Sequence, residues 1–204
     1  LTGFVQVAEG ATLYIEHGTY IHGYKFNIDV FGSLVIQGQE DEPAILNEVR
    51  IRGGDTDNNG IPYTINIDRA IFNDCALLPE GGAFTYGSIS LRNSTFNNCS
   101  GMYLRYPTDD TFIEYNTFIN PKTNRVLLRD GNLYIRNNSF ESESICNGCT
   151  YFNVETQDNE TKTIVENNSF LTPGRSAITI KPGHSPGNVS AKNNYWGTVD
   201  NAVI

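Results

Sequence analysis

Two adjacent carboxylates, Asp109 and Asp110, sit in the segment Tyr106-Pro107-Thr108-Asp109-Asp110, with Arg105 just before it and Arg129 expected one repeat further on. Carboxylates beside guanidinium groups can hold a cation and move a proton, the minimum for acid–base work on a bound substrate. The order Pro-Thr-Asp-Asp is also that of an ordinary turn. A second group, Asp55-Thr56-Asp57-Asn58-Asn59-Gly60, sets oxygen ligands at alternate positions before a glycine. That is the first half of a calcium loop, with Asp55, Asp57 and Asn59 as ligands. The bidentate Glu that closes such a loop is missing: Asn66 stands there, and the nearest carboxylate is Asp68. Calcium would therefore be held modestly or with a ligand from elsewhere, and a solvated Asp/Asn/Gly turn is the alternative.

Sugar rings stack on aromatic faces, and Tyr103, Tyr106, Tyr115 and Tyr134 fall at outward positions on neighbouring repeats. Four cysteines complete the reactive inventory. Cys75 and Cys99 occupy the same point of successive repeats; strands stacked about 4.8 Å apart bring such a pair within disulfide reach, so they form either a bridge or a column of buried thiols. Cys146-Asn147-Gly148-Cys149 has the spacing of a metal or redox pair, but with no second pair and no βαβ context it reads as a tight local disulfide or as free thiols.

What must position these residues is a repeat. Six segments superimpose on one aromatic: Ile67–Phe72, Leu91–Phe96, Ile113–Phe118, Ile135–Phe140, Val165–Phe170 and Ala191–Trp196. A constant motif at intervals of 22 to 30 residues means fixed strands joined by loops of variable length, the mark of a solenoid. Alternation such as Leu133-Tyr134-Ile135 places every second side chain inward. A second short strand follows the motif at Met102–Arg105, Val126–Arg129, Tyr151–Val154 and Ala177–Ile180. Parallel crossovers are overwhelmingly right-handed. The expectation is an all-β, single-chain right-handed parallel β-helix of about nine coils, one domain over residues 1–204, cut from a larger protein.

Asn116, Asn138, Asn168 and Asn194 stand two residues before the aromatic, where the chain bends. Asn tolerates the left-handed conformation and can hydrogen-bond along a column. The column Asp68, Arg92, Glu114, Arg136, Glu166, Lys192 alternates in sign, so each charge should meet its opposite above and below, a register device rather than a catalytic array.

Composition narrows the partners. A net charge of −9 repels a nucleic-acid backbone and offers no basic patch to an anionic membrane, and no run of about 18 apolar residues spans a bilayer. Neutral sugars, cations and proteins remain.

The opening Val7-Ala8-Glu9-Gly10-Ala11-Thr12-Leu13-Tyr14-Ile15-Glu16-His17-Gly18-Thr19, then Gly32-Ser33-Leu34 to Gly38, then Pro43-Ala44-Ile45, and the closing Asn193-Asn194-Tyr195-Trp196-Gly197 resemble the repeats of bacterial secreted and surface right-handed β-helix proteins of the pectate-lyase-like superfold. The resemblance implies a fold and an extracellular or cell-surface setting, not a reaction, because that scaffold carries lyases, hydrolases, tailspikes, adhesins and passive stalks. Its lyases use clustered aspartates for calcium and an Arg or Lys as base, which points to Arg105, Asp109, Asp110 and Arg129. Of the motifs of its polygalacturonase-type hydrolases only Asp109-Asp110 and a partial Gly183-His184-Ser185 are present. The leading expectation is a non-catalytic module, a rigid spacer or a segment binding a polysaccharide or surface glycan, with Ca²⁺ as its candidate ion. The rival is a lyase or hydrolase acting on an acidic polysaccharide.

Overall fold

The computed structural model describes residues 2–53, 62–78, 87–128, 131–143, 149–156, 160–172, 174–180 and 188–197. Every strand pairing among them is parallel, and consecutive strands of one face come from successive turns of the chain, which makes the fold a parallel β-helix.

One coil shows the plan. Thr111–Glu114 lies in an eight-stranded face, here the ladder sheet; the chain turns at Tyr115 and Asn116 into Thr117–Ile119 of a nine-stranded face, here the aromatic sheet. It turns again at Asn120, runs through Asn124–Leu128 of a four-stranded face, and returns to the ladder sheet at Leu133–Arg136. The four short strands read from the sequence form that third face, as Tyr103–Arg105, Asn124–Leu128, Thr150–Thr156 and Ser176–Ile180. Near the N-terminus Tyr20–Val30 and Ala44–Gly53 of the aromatic sheet are long strands that do the work of two; the ladder sheet stacks eight strands among the described residues, fewer than the about nine coils expected.

Alternation decides what is inside. Leu91, Ile113, Ile135 and Val165 of the ladder sheet are wholly buried, while their strand neighbours face out. Phe72, Phe96, Phe118, Phe140, Phe170 and Trp196 form one pile with centroid spacings of 5.1, 5.0, 4.8, 5.0 and 5.2 Å and near-parallel rings. Burying each ring contributes roughly 1.5–3 kcal/mol, and the offset stack fixes which rung lies on which.

The corner between ladder and aromatic sheets is held by Asn116, Asn138, Asn168 and Asn194. Each of the first three sends Nδ2 to the Oδ1 of the next, at 3.1, 3.0 and 3.0 Å, and the same acceptor takes the donor's own backbone N–H. Ser94 and Ala70 continue the column one and two coils back. These Asn residues do not adopt the left-handed conformation expected of them. That conformation belongs to the preceding residue in each coil, Arg69, Asn93, Tyr115, Asn137, Asn167 and Asn193, with φ between 48 and 59°. The bend is made by an outward residue, which leaves the next side chain free to point in and bond along the stack.

Candidate ligand-binding groove

The outer face of the ladder sheet engages its own charges. Glu114 lies between Arg92 at 3.2 Å and Arg136 at 3.8 Å, and Arg136 reaches Glu166 at 3.8 Å. Asp68 pairs with Arg69 of its own coil and accepts from Asn93 Nδ2 of the next at 2.6 Å. With their guanidinium groups partly exposed and the carboxylates more covered, these pairs set register and each adds little stability.

Asp110, one of the residues singled out for acid–base chemistry, belongs to a similar ladder. Its Oδ1 accepts both the backbone N–H of Asn132, at 3.0 Å, and Asn132 Nδ2, at 2.8 Å, and Asn132 in turn accepts the N–H of Lys162. Asp109 is exposed, the Arg105 guanidinium packs 5.1 Å over the Tyr106 ring, and Arg129 lies outside the described residues.

The four tyrosines do not share a surface. Tyr106 is buried in a left-handed corner, and Tyr103, on the four-stranded face, lies beneath Arg125 at 5.1 Å. Tyr134 is outward on the ladder sheet, but its ring stacks on Phe112 at 5.1 Å and carries the Arg136 guanidinium at 4.6 Å, so its faces are already covered. Burial, and then the neighbouring Asp110 carboxylate, push its phenol above the usual range. Phe112, whose ring carries the ladder residue Arg92 at 5.1 Å, has no signal in the sequence because a lone Phe carries no motif. Tyr115 is different: 59 % exposed, it stands at the corner with no ring or cation against it among the described residues.

Tyr115 closes one end of a groove of about 490 Å³ that runs along the corner. Ile71 and Thr95, outward residues of the aromatic sheet, lie along it with Arg69 and Asn93, and Gln39, Glu40 and Pro43 line it too. Those last three come from a loop inserted at the corner one coil before Arg69, where the later coils spend a single left-handed residue. The loop is well anchored: Gln39 N–H donates to Glu42 O, Gly18 N–H does the same, and Glu42 accepts from or pairs with His17 at 2.8 Å. Gly38 begins it because a Cβ there would run into the Arg69 carbonyl oxygen. Volume, an exposed ring, an apolar patch and a polar rim are the properties of a small-ligand site.

The other candidate residues stay apart. Cys75 and Cys99 are buried free thiols on adjacent rungs, bonded to the Leu46 and Phe72 carbonyls at 3.2 and 3.6 Å; of the two alternatives the structure has the thiol column. The contact with Cys75, then burial, raises the Cys99 thiol. Cys149 is disulfide-bonded, and Cys146 lies outside the described residues. So do Asp55, Asp57, Asn59 and His184. Comparison with known protein families, with characterised proteins and with solved structures returns no match to this chain.

Proposed function

We propose that this chain is a non-catalytic β-helix module of a secreted or cell-surface protein, a rigid stack that binds carbohydrate in the corner groove beside Tyr115. The observation that carries the reading is the contrast between tyrosines: Tyr134 and Tyr103 have their faces occupied by neighbours, whereas Tyr115 offers a free ring at the end of a polar-rimmed groove. The ladder supports the non-catalytic part, because Asp110 and Glu114 are satisfied by groups of adjacent coils, as structural residues are. The bonded Cys149 accords with an oxidising, extracellular setting. Calcium at Asp55, Asp57 and Asn59 belongs to the same reading on sequence grounds alone.

A glycan array tests it. Binding is expected for the parent, for Tyr103→Ala and for Tyr134→Ala, and is lost in Tyr115→Ala. Release of reducing ends or of unsaturated uronates from a polymer, abolished by Asp110→Ala, would replace this reading with the enzymatic one.

A further inference from the structure

The corner column ranks its residues by how well they suit a left-handed backbone. Of six positions with positive φ, four are Asn: Asn93, Asn137, Asn167 and Asn193. The other two are Arg69, at φ 52°, and Tyr115, at φ 59°. Asn is several-fold enriched in this conformation, and a bulky ring there is an outlier. Left-handed residues other than Asn also occur away from this column, at Glu48, Leu78 and Tyr106, so it is the coincidence of the column's two exceptions with one groove, rather than strain alone, that points to a site. Both exceptions line the same groove, with Asn93 between them, and the inserted loop bearing Glu40 closes the far end. Three departures from the simple corner, within four successive coils and with Asn93 kept among them, thus border one site; the coils beyond Tyr115, which line no part of it, keep Asn at their corners.

Charge decides what the site takes. Its cation is already engaged, since Arg69 pairs with Asp68, whose other oxygen accepts from Asn93. Its free charge is the exposed Glu40 carboxylate, with Asp41 and Glu42 on the same loop and a chain carrying −9 overall behind it. A uronate or sulfated sugar would meet repulsion there without an unpaired guanidinium to hold it. A neutral sugar meets complementary groups: a ring face at Tyr115, an apolar patch at Ile71, and for its hydroxyls the Thr95, Asn93, Gln39 and Glu40 oxygens and amides together with the Arg69 N–H groups not turned to Asp68. From the loop to Tyr115 the site crosses four coils, three rung spacings or about 14 Å, room for a short oligosaccharide laid along the stack.

We infer that Tyr115 and Arg69 are specificity residues retained at the cost of a strained backbone, and that the groove binds a neutral oligosaccharide rather than an acidic one. This rests on the carbohydrate reading above and narrows it. The test uses Tyr115→Asn and Arg69→Asn, each of which installs the residue the rest of the column prefers. Titration calorimetry with neutral oligosaccharides of the gluco, manno, galacto and N-acetylglucosamine series, and with oligogalacturonate, is paired with melting curves. The parent should bind one neutral series at least about tenfold more tightly than oligogalacturonate, and both variants should lose at least about tenfold of that affinity while melting at or above the parent temperature. Preference for oligogalacturonate, or melting below the parent in both variants, overturns the inference and leaves the carbohydrate reading standing, whereas unchanged affinity in Tyr115→Asn removes the Tyr115 groove from both. Failure of every sugar to bind the parent sinks both.

Discussion

Asn138 Nδ2 hydrogen-bonds Asn168 Oδ1 at 3.0 Å across 30 residues of sequence, and the same nitrogen reaches the Ile113 carbonyl one coil back, at 2.7 Å. Its own Oδ1 accepts from Asn116. One side chain therefore ties three coils inside a corner where water has no access. Replacing it with Ala or Leu strands several buried partners, each worth about 1–3 kcal/mol when left unmade, so Asn138→Leu should cost at least about 3 kcal/mol in urea unfolding. Asn194→Leu, half-exposed at the end of the column, should cost less.

The charge ladder should matter mainly through its sign. Glu114→Gln removes two pairs, at 3.2 and 3.8 Å, to partly exposed arginines and should change stability by no more than about 1 kcal/mol. Glu114→Lys sets three cations in a row and should cost about 1–2 kcal/mol, part of which added salt recovers. Equal losses for the two variants, insensitive to salt, would mean the carboxylate acts through packing instead.

These columns were legible because each recurs at a fixed offset from the aromatic, so that Phe96 had to lie on Phe118 once both motifs were aligned. The bend was misplaced by one residue: sequence marks Asn at both 137 and 138, and only the backbone distinguishes the one that turns outward from the one that bonds inward. Tyr134 was correctly placed outside, but outward residues of adjacent coils also stack, and Phe112 covers the ring that looked free. The groove could not be read at all, since it joins Glu40 to Tyr115 across a loop whose insertion point emerges only when the registers are known.

Cys75 and Cys99 should be silent in the folded protein. At 3 % and 7 % exposure neither sulfur is within reach of a disulfide reagent, although the contact between them lowers the Cys75 thiol as it raises the Cys99 one. Labelling should track global unfolding, with both thiols appearing together in denaturant. Rapid labelling of the native chain would contradict this packing.

Alkaline stability should report on Tyr134. Its folded phenol titrates above the unfolded value of about 10, so its stabilising contribution is complete below pH ~10 and disappears as pH rises through the folded value. The difference in stability between the parent and Tyr134→Phe should thus be flat to about pH 10 and change above it. A difference that instead develops between pH 5 and 8 would put the phenol in another environment.

All of this depends on register, which cross-linking can read directly. Thr95, Thr117 and Ser139 are outward neighbours on successive rungs of the aromatic sheet. Cysteines placed at 95 and 117 should stand about 4.8 Å apart and close a disulfide under mild oxidation, whereas cysteines at 95 and 139, about twice as far apart, should not. Ready bridging of the second pair, or none of the first, would mean that the coils do not stack as described here.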